Sequence, residues 1–325
     1  MIKYKAINDF ESNHYHFIYE NRMEDLLPLL KLLEKVNPCN QEYEFTDSCL
    51  LISYSHKLNL FNFRNLFPLK ANVQIIGLPV SVCMKGYFGN HVEIESIIKK
   101  KKGLKILLNG DNIFNSGGKT LSSFVFDNKF STFDDYLNSL RSPYRRRINK
   151  ALNFRNKYNI RKIDNNEFNE NHYKLYLSIM KRTENPLETL LPDFFREYDA
   201  EIYEFSDVYT NDIIGFIQLK TINDTLYFLF GGFNKEDIKL YDIYYNMLLK
   251  IIEVGIENQV STIEFGQTAE ESKLKIGCRE QYKYLYVHHS NLLLNSIIQR
   301  LLPLFSYKPY SIKHHVFKDN LYTKR

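Results

Sequence analysis

Apolar residues between positions 234 and 257 recur at Leu240, Ile243, Tyr244, Met247, Leu248, Ile251 and Ile252. This i, i+3, i+4, i+7 series marks a helix with one buried face. Asn234, followed by Glu236 and Asp237, reads as its cap and acidic first turn. Ahead of it, Ile202 to Phe205, Ile213 to Leu219 and Leu226 to Phe230 read as consecutive strands. Asn223-Asp224 turns between the last two, and Gly231-Gly232 closes the third. After it, Val260 to Phe265 is a buried strand, followed by a helix of about two turns that ends at Gly277. Thr268, three residues before Glu271, reads as the capping box of that helix. Tyr282 to His288 is a further strand and Asn291 to Phe305 an amphipathic helix.

The first part of the chain mixes the two periodicities. Residues 20–36 give a leucine-rich helical face interrupted by Pro28. Cys49 to Tyr54, Leu58 to Phe63, Val73 to Met84, Gly103 to Leu108 and Leu121 to Phe126 read as strands. Asn90 to Lys100 is helical and runs into Lys99–Lys102, cations that suit a helix C-terminus. Thr132 to Leu140 is a helix capped by Thr132, and Ser142-Pro143 starts another. Asn171 to Arg182 and Pro192 to Tyr198 are helical, and Thr183-Glu184-Asn185-Pro186 between them reads as a loop over a pocket.

Composition narrows the class. At 325 residues the chain has room for two domains. The net charge of +5 is too mild to demand nucleic acid, although a local basic patch would bind phosphate. One such patch is Arg141 to Lys157, in which Arg145, Arg146 and Arg147 point in three directions around a helix. Arg141 and Arg145 are the candidates for holding a substrate phosphate, and a solvated basic surface is the equal alternative. Cys39, Cys49, Cys83 and Cys278 lack metal-ligand spacing, so no metal is expected. No run approaches the roughly 20 apolar residues of a spanning helix. The expectation is a cytoplasmic protein with no transmembrane segment, for which peripheral membrane contact stays open.

Strands, a long helix, a strand and a short helix make a mixed α/β sheet. Their order from Ile213 to His288 resembles the core of the GNAT acyltransferases. Three stretches are closer to one branch of that superfamily. The segment from Thr132 to Ala151, which contains FDDYLNSLRSPYRRRINKA, is similar to the opening of the second domain in the Fem-like, peptidoglycan-biosynthesis-related acyltransferases. GGFNKEDIKLYDIYYNML at 231–248 and EFGQTAEESKLKIGC at 264–278 resemble later motifs of the same group. The resemblance implies two tandem GNAT-like lobes, a degenerate one over 1–131 and an acyltransferase lobe over 132–325. It implies N-acyl transfer from an acyl thioester, acyl-CoA, to an amine by direct attack in a ternary complex. The GNAT phosphate loop, Gln/Arg-x-x-Gly-x-Gly/Ala, is absent. Fem-type relatives lack it too and use aminoacyl-tRNA to modify a cell-envelope precursor, which is the alternative. A catalytically inactive binding module is a third reading.

Acyl transfer to an amine needs a base and donors for the developing oxyanion. Glu264, in an otherwise apolar strand, is the candidate base, because burial would raise its basicity. The bland reading is a carboxylate on the solvent face. Gln267 would hydrogen-bond a substrate amide, and Thr268 would contact substrate if it were not simply a cap. Tyr282 or Tyr284, on the same side of their strand, would protonate the leaving thiolate. Gly232, Lys235 and Tyr241 lie where a donor pyrophosphate meets the long helix. Lys273 and Lys275 would neutralise donor phosphates or, equally, lie exposed at a helix end. Cys278 shows no histidine partner that would make it a nucleophile.

Overall fold

A computed structural model describes residues 1–21, 23–37, 39–63, 67–80, 82–114, 117–182, 188–310 and 312–318. The loop expected over Thr183–Pro186 lies outside them. The strands and helices run β1 (Ile2–Tyr4), α1 (Ser12–Glu20), α2 (Leu26–Val36), β2 (Glu42–Phe45), β3 (Cys49–Phe63), β4 (Phe67–Ile76), β5 (Tyr87–Gly89), α3 (His91–Lys100), β6 (Leu104–Gly110) and β7 (Gly117–Lys119). They continue β8 (Ser123–Asp127), α4 (Phe133–Ser139), α5 (Ser142–Leu152), β9 (Tyr158–Ile163), α6 (Glu170–Met180), α7 (Pro192–Glu197), β10 (Glu201–Asp207), β11 (Ile213–Ile222) and β12 (Thr225–Phe233). The remainder is α8 (Asp237–Tyr241), α9 (Ile243–Glu257), β13 (Thr262–Glu264), α10 (Glu270–Lys275), β14 (Arg279–Gln281), β15 (Tyr284–His289) and α11 (Leu292–Phe305).

Two compact units result. One comprises Met1–Leu121 with Tyr282–Pro309, the other Ser122–Gln281 with the described residues from Tyr310 on. The division therefore falls ten residues before the expected boundary at 131/132, and a C-terminal segment returns to the first unit. Strand pairing is the reason. β8 pairs antiparallel with β13 and β14, whereas β15 pairs with β6 and β7.

Each unit contains the same device. In the first sheet, β4 and β6 run parallel, Val73 opposite Leu104 to Ile76 opposite Leu107, and α3 makes the crossover. In the second, ordered β14-β8-β13-β12-β11-β10-β9, β12 and β13 run parallel and α9 lies in the crossover between them. A parallel pair requires such a connection. Asn90 caps α3, its side chain accepting from the Val92 and Glu93 amides, and Thr132 closes a capping box with Asp135. Pro28 falls in the first turn of α2, where no backbone donor is missed.

In the second unit α9 is buried along most of its length against β11, β12 and β13. It is shorter than the sequence implies. Asn234 does not cap it. α8 forms first, and Asp242 then takes a left-handed conformation, φ +50°, that breaks the run before α9 begins. Aspartate is among the few side chains that tolerate this region.

Candidate functional site

The site grows from the way β12 and β13 part. They share three parallel pairs, Thr225–Thr262, Leu226–Ile263 and Tyr227–Glu264. β13 stops there, while β12 continues through Phe233 along β11, with a bulge opposite Gln218 and Leu219. Beyond Tyr227 and Glu264 no further pair joins the two strands, a fork in the hydrogen-bonding pattern of the sheet.

Glu264 sits at the parting point and is buried, against the solvent-facing reading. One carboxylate oxygen accepts from the Ser123 hydroxyl at 3.1 Å, the other from the Gly266 amide at 3.0 Å. The second bond turns the chain out of the strand. Lys273 grips the same turn from the other side. It is 2% exposed, and its ammonium donates to the carbonyls of Gly266 at 3.1 Å and Gln267 at 2.7 Å. Gly266, Thr268 and Ala269 all have positive φ, 73°, 64° and 51°. Two of these are ordinary L-residues, so the turn stores roughly 1–3 kcal/mol at each, and the buried acid and lysine hold it in place.

This arrangement changes two readings. Thr268 is not the cap of α10. Ala269 occupies that position and no side chain caps the helix, because the left-handed pair turns the Thr268 backbone away from the extended geometry a cap needs. Lys273 is buried and not an exposed charge at a helix end, and its ammonium faces the carbonyls of the turn. Gly277 does terminate α10 with φ +103°, and a Cβ there would lie 2.3 Å from the Phe317 ring. Lys275 pairs with Glu271 at 2.5 Å on the helix surface. Cys278 is buried and burial pushes its thiol well above the usual range, which removes it as a nucleophile.

The residues expected around a donor pyrophosphate are dispersed. Gly232 lies inside β12, where a Cβ would come within 2.7 Å of the α6 backbone at Leu175 and Tyr176. Its lack of a side chain is a packing requirement. Lys235 is exposed ahead of α8. Tyr241 donates to Asp207 at 2.8 Å, and that bond pushes its hydroxyl up to about 12. At the N-terminus of α9 itself stands Asp242, held by Arg147 through two bonds of 2.5 and 2.9 Å, with the guanidinium 4.0 Å above the Tyr245 ring. This pair was not singled out from sequence. The signal was present in an acid just before an apolar helix and an arginine in the basic segment, but the partnering was not.

The basic segment is partly turned inward in the same way. Arg155 bonds Asn246 and Glu253, and Lys157 donates to the Leu240 carbonyl. Arg141 is the cap residue of α5 and its amide donates to Val316. Arg145 is half-buried and Arg146 exposed. Tyr282 precedes β15 and belongs to the first unit, half-exposed, with the Lys119 ammonium 4.0 Å from its ring centre. Ser123 is the site residue that sequence reasoning missed outright. A single serine in a strand 141 positions from its partner carries no local signal.

Two mixed sheets, each with a parallel pair bridged by a helix, and an open pairing after the second pair define a two-lobed α/β fold. Solved structures share it. FemX matches with a TM-score of 0.53 at 10% identity over 92% of this chain and 100% of that one. L-PGS from Bacillus licheniformis matches with a TM-score of 0.54 at 11% identity over 90% of this chain and 97% of that one. No protein-family profile and no curated protein matches the sequence.

Proposed function

We propose that the second unit transfers an acyl group from an activated ester to an amine acceptor by direct attack in a ternary complex. The observation that carries this reading is the fork between β12 and β13, with the buried carboxylate of Glu264 where the strands part. A carbonyl in such a gap meets strand backbone on either side. In the step proposed, the amine nitrogen bonds to the acyl carbon and its proton passes to Glu264. The tetrahedral oxyanion then re-forms the carbonyl as the bond to the leaving group breaks, and the leaving group takes the proton from Glu264, which returns to its carboxylate form. Ser123 and the Gly266 amide orient Glu264, Gln267 beyond the fork binds the substrate amide, and Lys273 positions the turn that carries both.

Between donors, one observation favours the Fem-type reading over acyl-CoA. The N-terminus of α9, where a pyrophosphate would find unpaired amides and the helix dipole, already has the Asp242 carboxylate paired with Arg147. An aminoacyl ester on tRNA does not require that position, and an envelope precursor bearing an amine is the matching acceptor. Calorimetric titration with a panel of acyl-CoAs, beside filter binding of aminoacyl-tRNA at several salt concentrations, tests this. No heat with acyl-CoA and a steep salt dependence with tRNA are expected. Saturable acyl-CoA binding would reverse the donor. Glu264→Gln should retain donor binding and lower transfer by about a hundredfold or more. Unchanged transfer would remove Glu264 as the base.

A further inference from the structure

α11 presents an apolar stripe to solvent. Leu293, Ile297, Leu301 and Leu304, at i, i+4, i+8 and i+11, lie along one face and are 77%, 52%, 44% and 77% exposed. The opposite face is docked. Leu302 is buried, and Gln299 donates to the Val287 carbonyl of β15 at 2.6 Å. Isolated exposed leucines are ordinary, but a continuous stripe on one helix marks a surface that something covers.

Charge indicates what. No Asp or Glu occurs from Gln281 to Pro309, the segment that contains α11. Cations flank both ends of the helix. Before its N-terminus, Ser290 exchanges hydrogen bonds with Gly103, the amide of Ser290 to the Gly103 carbonyl at 3.1 Å and the amide of Gly103 to the Ser290 hydroxyl at 2.9 Å. That brings the run Lys99–Lys102 alongside. Lys99 pairs with Glu95 and Lys101 with Glu44, while Lys100 and Lys102 are exposed. After the C-terminus, the Lys119 backbone bonds Ser306 and Tyr307, and exposed Lys308 follows.

We propose that α11 is an interfacial helix that seats the first unit on an anionic lipid surface. Its leucine stripe enters the boundary between headgroups and acyl chains, and Lys100, Lys102, Lys119 and Lys308 meet headgroup phosphates. The helix lies in the surface. Its 14 residues span about 21 Å, short of the roughly 30 Å hydrocarbon core, and among the described residues no helix is long and apolar enough to cross a membrane. A second copy of the chain fits less well, because a two-fold contact through this face would set like charges against each other.

Flotation of the full chain with phosphatidylglycerol–phosphatidylcholine vesicles and with pure phosphatidylcholine vesicles tests the proposal. The protein should float with the anionic vesicles at least about tenfold more tightly than with neutral ones, and lose affinity as salt rises. Leu293→Ser combined with Leu304→Ser, and separately Lys100→Glu with Lys102→Glu, should each weaken binding by about tenfold or more, with circular dichroism melting unchanged because these positions are exposed. Absence of vesicle binding by the unaltered chain, equal binding to both vesicle types, or binding indifferent to the leucine pair would each overturn it. A concentration-dependent dimer lost in the leucine variant, without vesicle binding, would assign the stripe to a second copy and overturn it as well.

Discussion

Replacing Lys273 with methionine removes the ammonium that holds the turn after β13 while keeping the bulk of the side chain. Two hydrogen bonds disappear, of 3.1 Å to the Gly266 carbonyl and 2.7 Å to that of Gln267. Bonds from a charged donor contribute about 1.5–3 kcal/mol each. The first loss is partial, since the Gly266 carbonyl also accepts from the Phe124 amide at 3.2 Å. Relief of the buried ammonium's desolvation offsets part of the second. The net destabilisation expected is about 2–3 kcal/mol, with relaxation of the left-handed Thr268–Ala269 pair and a fall in turnover. Urea unfolding followed by circular dichroism gives the first number. Donor affinity measured across a salt series gives the control: a pin that faces carbonyls leaves the salt slope unchanged, whereas a phosphate ligand makes it shallower by about one. Stability within about 0.5 kcal/mol of the parent, together with a shallower slope, would refute the assignment and return Lys273 to the donor site.

Other perturbations test separate parts of the structure. Arg147→Ala leaves Asp242 without its bidentate partner and should cost about 1–2 kcal/mol in denaturant unfolding, discounted because the guanidinium is partly exposed. Arg147→Lys should recover less than half, since a single ammonium cannot form the fork. Gly277→Ala combines φ +103° with a Cβ 2.3 Å from Phe317, a ring packed on Phe126, Phe130 and Tyr136, and should cost about 2–4 kcal/mol by thermal or urea unfolding. His172 is fully buried 2.9 Å from Glu204, and burial holds its imidazole below the usual range, although the carboxylate opposes this. The unfolded chain therefore takes up a proton on His172 that the folded one refuses. Stability should be fully present above about pH 6.5 and fall as the pH drops from there towards the folded value. Unfolding curves of the parent and of His172→Gln between neutral and mildly acid pH would check this, the variant losing the slope.

Local chemistry was legible. The cap at Thr132 and the stop at Gly277 are legible because a cap depends on three or four neighbouring residues, and the starts near Asn90 and Asn291 agree with the structure, in which both cap their helices. The strands β10 to β12 and the apolar face of α9 followed from periodicity, which needs only an inside and an outside. The capping role given to Thr268 failed for a physical reason. The same residues that would form a box were drawn into a left-handed turn by Glu264 and Lys273, groups whose burial the local pattern does not encode. The break of the long helix at Asp242 escaped in the same way, since its arginine partner lies 95 positions earlier.

Sequence by itself thus determined many of the helices and strands, the caps of several, and a mixed α/β plan for the chain. Tertiary structure alone decided that β15 completes the first sheet and β8 the second, that Ser123 meets Glu264, and that Lys273 is a buried pin while α11 keeps its leucines in solvent. The difference is one of range. Periodicity and caps are written in neighbouring residues, whereas strand partners, ion pairs and burial depend on pairings between distant segments, which no local spacing specifies.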